Sequence, residues 1–319
     1  MQNNQKVIAV FGANGFIGTS LIGQLATLDY RIKAAVRNPY LAGNLKPLGN
    51  PGQIALFKTN IFDEDDLKKV LEGCDYVINL IGILNETRKQ KFQQIHSRFP
   101  YLLGKICKDF NVKKLIHISS IGVKENHVSK YMQSKFQGEK NLIETFDYPT
   151  ILRLSLVFGP SDKFFNTFAS LAQFSPFLPL IGGGKTKFAP IYVGDVARGI
   201  VKTLRDNNLK LKIYELGGPE IYSFKELMQI LLAEIKKKRF LINIPFNVAF
   251  FQAFFLQAMR NPLITIDQVK LLKQNSIVSG NYPVLKDLGI TGTSIQSILP
   301  KYIYRFRSEG QFHKDNQNN

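Results

Sequence analysis

The sequence predicts an α/β fold, a doubly wound parallel sheet with a small C-terminal lobe. Three observations predict it. Short apolar runs alternate with polar or helix-period stretches through the first half of the chain. The first of these runs ends in a glycine turn that opens directly into a helix-period segment. After Pro160 the alternation loosens, as an appended lobe would make it. At 319 residues, 45% of them hydrophobic, the chain can bury a substantial core.

The elements follow in order. "VIAVF", Val7 to Phe11, is a strand; Gly12 turns the chain, and the apolar period from Phe16 to Leu28 is a helix. "RIKAAV", "IALFK", "YVINLIG" and "KLIHIS" have the near-continuous apolar content of parallel strands covered on both faces by helices. Beyond Pro160 come a helix in "DKFFNTFASLAQF", a Pro- and Gly-rich crossing from Ser175 to Gly184, a helix "VARGIVKTL" capped by Asp195, a strand "KIYELGG" and a helix "FKELMQILLAEI". The organisation predicted is a nucleotide-binding core over 1–160, then 161–306, in which remaining core elements (about 190–217) interleave with a small substrate or partner lobe. The polar tail 307–319 is predicted to be disordered.

Charge and cysteine usage bound the function. A formal net charge of +18 attracts anions at long range, whether phosphate groups or an acidic membrane face. The basic residues are scattered, with no zinc-finger spacing and no basic tract interleaved with aromatics, so nucleic acid is not an expected partner. Cys74 and Cys107 fit neither a disulfide framework nor a metal-ligand spacing, and no metal is expected. "MQNNQK" lacks the apolar stretch of a secretion signal, so the expected location is the cytoplasm.

The chemistry concentrates at the strand ends. Gly12 permits the tight turn, Gly15 lets backbone approach a pyrophosphate, and Gly18 lets the helix pack closely, while the helix N-terminus offers amide N–H groups to phosphates. A carboxylate about 20 residues further on would bind the ribose 2′-hydroxyl of NAD. Between Asp29 and Asp63 there is no acid, and strand two ends instead at Arg37, whose guanidinium suits a 2′-phosphate, so NADPH is favoured over NADH. Lys33 lies inside the strand and is a weaker candidate. "IGGGKTKF" imitates a P-loop but has Pro179 where the pattern requires glycine, and reads as a turn.

Three Tyr-x-x-x-Lys pairs compete for a catalytic role: Tyr101 with Lys105, Tyr131 with Lys135, and Tyr282 with Lys286. Chance alone supplies about one such pair here. Ligands in open parallel sheets bind beyond the strand carboxyl ends, and only Tyr131 and Lys135 follow a strand-ending serine, Ser120. A phenol near pKa 10 is a reluctant acid or base; a neighbouring ammonium favours its phenolate and can also hold ribose hydroxyls.

These residues resemble the extended, atypical branch of the short-chain dehydrogenase/reductase superfamily, a Rossmann-type family: Gly12, Gly15 and Gly18, "NLIG" at Asn79–Gly82, "ISSIG" with Ser120, then Tyr131, Lys135 and "RLSLVFGP". The resemblance covers about half of the chain in the right order. It implies catalytic roles for Ser120, Tyr131 and Lys135. It further implies cofactor contacts from Gly12, Asn14, Gly15, Phe16, Ile17, Gly18, Arg37, Asn60, Ile61, Leu80, Ile81, Gly82, Tyr131 and Lys135. Asn60 stands where many members carry Asp against the adenine. "FGPSDKFFNTFASLAQFSPFLPLIGGGKTKFAPIYVGDVARGI" is similar to the nucleotide-binding accessory subunits of respiratory complex I and their bacterial relatives. That similarity implies tightly held NADPH and docking on complex I subunits near the inner membrane. The alternative is an active NADPH-dependent reductase or epimerase on a small carbonyl or quinone-related substrate.

"KKKRFLINIPFNVAFFQAFFLQAMRNP" is too interrupted by polar residues and Pro245 to span a membrane. Phe250, Phe251, Phe254 and Phe255 lie at helical spacing after the basic cluster Lys236–Arg239. That pattern suits either a segment docked on an anionic membrane surface or a partner, or a face packed within the lobe.

Overall fold

The computed structural model describes residues 5–206, 210–257, 259, 262 and 264–307. The chain forms two compact units, the first comprising Met1–Leu154, Val193–Leu216 and Val278–Thr291, the second Ser155–Tyr192, Gly217–Ile277 and Gly292–Asn319.

The first unit is built on a seven-stranded sheet. In chain order its elements are β1 (Val7–Phe11), α1 (Phe16–Thr27), β2 (Arg31–Val36), β3 (Ile54–Lys58), α2 (Glu64–Leu71), β4 (Tyr76–Asn79), α3 (Phe99–Asp109), β5 (Lys114–Ser120), α4 (Lys130–Thr145) and β6 (Thr150–Leu154), followed by the helix Val193–Arg205 and the strand Lys212–Leu216. The strand order is Lys212–Leu216, β6, β5, β4, β1, β2, β3, with every pairing parallel. Parallel strands need helical crossovers, which bury both sheet faces; Ile8, Ala9, Val10 and Phe11 are accordingly all fully buried. Helices α2, α3 and α4 close one core over Ala9, Phe11 and Val77, while α1 packs with the helix Val193–Arg205. The strand order reverses between β1 and β4, and ligands of open α/β sheets bind at such a switch point.

Two sequence expectations are corrected. The helix read as "VARGIVKTL" begins at Val193, so Asp195 lies inside its first turn rather than at the position before it, and pairs there with Arg198. The Ser175–Gly184 crossing contains a strand, Phe177–Ile181, paired in parallel with Phe240–Ile244. Pro179 disguises it, yet a strand with one partner tolerates a proline on its open side. The glycine run after it is a turn with Gly182, Gly183 and Gly184 at φ of 61°, 70° and 68°, as expected once Pro179 ruled out a P-loop.

The second unit packs the helices Phe164–Phe174 and Phe224–Glu234 around a core that includes Phe158, Phe165, Leu227 and Leu231. A capping box of Ser223 and Glu226 starts the second of these helices. In the helix Phe246–Leu256, Ala249 and Ala253 are buried and Phe250 packs inward, whereas Phe251, Phe254 and Phe255 are 66%, 60% and 59% exposed. The packed-face reading therefore holds for Phe250 and fails for the other three. No described helix is long and apolar enough to cross a membrane. Arg307 is tied to the Glu234 carbonyl and carboxylate, so the predicted tail disorder does not begin there; 308–319 lie outside the described residues.

Candidate functional site

The turn after β1 is shaped by its glycines. Gly12 has φ +82°, and a Cβ there would lie 3.3 Å from the Leu80 carbonyl carbon and from the Ile81 side chain, so the turn lies against the end of β4. Gly15 donates its N–H to Gly12 O at 3.0 Å and caps α1 without a side chain, leaving the first-turn amides, those of Phe16 and Ile17 among them, without intrahelical partners. Gly18 is the tightest: a Cβ would sit 2.4 Å from both Gly12 O and Ala13 O. Asn14 turns its amide outward, donating to Leu41 O at 3.0 Å, and so ties the glycine turn to the segment after β2.

Arg37 follows β2 directly and is exposed, while Lys33 is engaged with the Glu72 carbonyl and the ring of Phe57. Among the described residues, no hydrogen bond or ion pair ties Arg37 to the other predicted residues. Asn60 is exposed after β3, but its carboxamide oxygen accepts from Phe62 N at 3.2 Å and its N–H donates to Asp66, a local turn that feeds α2. Ile61 packs against the core beneath.

The residues that do converge lie at the ends of β4 and β5. Lys135 is 3% exposed and donates to Ile118 O at 2.9 Å. A Cβ on Gly82 would be 3.3 Å from Lys135 Nζ. Burial lowers the Lys135 pKa to about 8, with Glu139 one helical turn on opposing the shift. Glu139 is itself gripped by Arg153, whose Nη2 and Nε lie 2.6 and 3.0 Å from its oxygens, and Tyr282 lies under the guanidinium at 4.8 Å. That contact accounts for the Tyr282 of the competing pair, and Tyr101 is 47% exposed on α3. Tyr131 opens α4, which Ser129 caps, and half-buried Ser120 closes β5.

Five polar residues around this centre are not among the predicted site residues, although Asn79 lies in the "NLIG" stretch the sequence singled out. Asn79 and His117 are register partners, their side chains 3.0 Å apart, and Asn79 Oδ1 accepts from Ile81 N. Asn79 Nδ2 therefore donates to His117 Nδ1, which places the imidazole proton on Nε2. That Nε2 and Ser119 Oγ are buried without hydrogen-bond partners among the described residues. His96, 1% exposed, accepts from Ile83 N at 3.0 Å and lies 2.9 Å from Ser134 Oγ. Burial, with Lys135 and His117 nearby, holds His96 neutral, its pKa lowered to about 2. The available signal was scarcity: the chain has four histidines, and His96, His117 and His127 are all 1% exposed.

A glycine cradle under a helix N-terminus, a buried cation and orphaned polar atoms beside it fit a dinucleotide. The NAD dependent epimerase/dehydratase family model matches residues 8–217. The chain belongs to that family. Within this epimerase/dehydratase family the chain has relatives that match along most of its length. It is 31% identical over 316 residues to the mitochondrial NADH dehydrogenase [ubiquinone] 1 alpha subcomplex subunit 9 of Arabidopsis thaliana, covering 95% of this chain and 79% of the relative. The Mus musculus subunit of the same name is 29% identical over 305 residues, covering 95% and 81%. The fold is similar to that of a dTDP-glucose 4,6-dehydratase from Streptomyces venezuelae solved with NAD bound, at TM-score 0.71 and 18% identity, covering 94% of this chain and 96% of that one.

Proposed function

We propose that the protein is an accessory subunit of respiratory complex I that holds NADP(H) in its first unit. The observation that carries this reading is similarity to alpha subcomplex subunit 9 along 95% of the chain, second unit included. The glycine turn and the α1 amides would hold the pyrophosphate, Lys135 and Tyr131 the nicotinamide ribose, and Arg37 the 2′-phosphate. The nicotinamide, when bound, supplies hydride chemistry. Ser120, Tyr131 and Lys135 would orient that end and handle one proton at the Tyr131 oxygen. Lysine at this depth binds a ribose as a donor in a dry site, where each hydrogen bond is stronger than in water.

The exposed Phe251, Phe254 and Phe255 face, with Lys236–Arg239 preceding it in the chain, would seat the second unit on the membrane-embedded complex or the anionic surface around it. Native purification tests the whole reading. The protein should co-migrate with complex I on native gels, and denaturation should release NADP(H). A protein that runs apart from the complex and releases no dinucleotide would refute it.

A further inference from the structure

The geometry points to His96 as a positioning residue that joins the chain after β4 to the start of α4, so that Tyr131 and the Leu80–Ile83 segment clamp the nicotinamide half of the dinucleotide as one piece. This rests on the reading that the first unit binds a dinucleotide.

The proton positions follow from the partners. A backbone N–H can only donate, so the 3.0 Å contact from Ile83 N makes His96 Nε2 the acceptor. A neutral imidazole then carries its proton on Nδ1 and donates to Ser134 Oγ at 2.9 Å, and Ser134 in turn donates to the Tyr131 carbonyl at 2.7 Å. A chain of three hydrogen bonds thus runs from Ile83 to Tyr131, with every polarity determined.

The ring adds shape to this chain. Phe92 stacks on His96 with centroids 5.4 Å apart, and Tyr131 stands edge-on to both, 5.3 Å from His96 and 5.8 Å from Phe92. The His96 backbone is pressed against α4 as well, since a Cβ on Gly138 would be 1.8 Å from His96 O. His96 sits in a single π-helical stretch, Gln93–Arg98, ahead of α3, and such irregular turns re-aim side chains. On the other side, a Cβ on Gly82 would be 3.8 Å from His96 Nε2 and 3.3 Å from Lys135 Nζ, so the same short segment borders both groups. The hydrogen bonds of His96 lead to Ile83, past the Leu80 and Ile81 that border Gly12, and to Ser134 on α4; neither reaches a residue of the glycine turn itself.

His96→Phe keeps a flat ring and removes both nitrogens; His96→Gln keeps one donor and one acceptor and removes the ring. Calorimetry with NADPH and with adenosine 2′,5′-bisphosphate separates the two halves of the site. For His96→Phe the expected result is NADPH binding weakened about tenfold, from the loss of two buried hydrogen bonds. Binding of the bisphosphate should stay within about twofold, and His96→Gln should recover most of the loss. Unchanged NADPH affinity in His96→Phe, or equal weakening of both ligands, would overturn the role given to His96. If the Phe variant does not fold, Ser134→Ala removes two of the three links of the same chain, and unchanged NADPH affinity there overturns the role equally. A wild-type protein that binds neither ligand would instead refute the parent reading.

Discussion

Gly18 offers the sharpest test of how α1 is seated. An alanine Cβ would lie 2.4 Å from two carbonyl oxygens at once, Gly12 O and Ala13 O, and 2.7 Å from the Ala13 carbonyl carbon. These are roughly 1 Å inside ordinary contact. Both oxygens belong to the turn backbone, so relief requires the start of α1 to shift bodily away from the turn. Overpacking of this kind costs about 1–3 kcal/mol, against about 1 kcal/mol that alanine gains over glycine in a helix. The net expectation for Gly18→Ala is a loss of up to about 2 kcal/mol, with a weaker grip on any pyrophosphate held by the same amides. Gly23 lies in the same helix, and a methyl group added there would meet nothing within 4 Å, so Gly23→Ala should gain about 0.5–1 kcal/mol. Urea denaturation of the two ligand-free variants, followed by far-UV circular dichroism, should separate them by about 2 kcal/mol. A Gly18→Ala midpoint equal to or above that of Gly23→Ala would refute the close-approach argument.

Lys135→Met should remove dinucleotide binding yet stabilise the ligand-free fold by about 1–2 kcal/mol at neutral pH, because a buried ammonium is replaced by an apolar chain of similar length. In the wild type, Lys135 releases its proton near pH 8 when folded and near 10.5 when unfolded. Between those values the unfolded chain binds more protons, so raising pH stabilises the fold through this group, and that dependence should vanish in the Met variant. Arg153→Met leaves Glu139 buried and unpaired and should cost about 3–5 kcal/mol, whereas adding Glu139→Leu should restore most of it; denaturation midpoints of the single and double variants decide. Arg37→Asp should turn preference from NADPH toward NADH, measured by calorimetry with both, and an unchanged ratio removes Arg37 from the site.

What the sequence shows of this protein is what local physics controls. β1, β2, β3 and β5 are legible because parallel strands are written as short, mostly apolar runs, even where Lys33 and His117 interrupt them and where β3, at the sheet edge, buries only Ile54; the turn at Gly12 is legible because only glycine takes φ +82° without strain. Tyr131 and Lys135 are legible because four residues make about one turn of α4. Asn60 shows where the same logic stops: its oxygen serves Phe62 two residues on, a competing local bond that its position after β3 does not reveal. The polar network under the site is of another kind. "FQQIHSRF" has no spacing that singles out His96, because its partners Ile83 and Ser134 stand 13 and 38 residues away. His117 could be read as a polar group in an apolar strand and hence as needing a partner, but Asn79 becomes that partner only through the pairing of β4 with β5. Shifting that register by one residue would turn Asn79 and His117 to opposite sheet faces and strip both of their bond. The polarity of a buried residue is thus readable from sequence, whereas the direction of its hydrogen bond is a property of the register, and on that direction rests which nitrogen of His117 carries the proton.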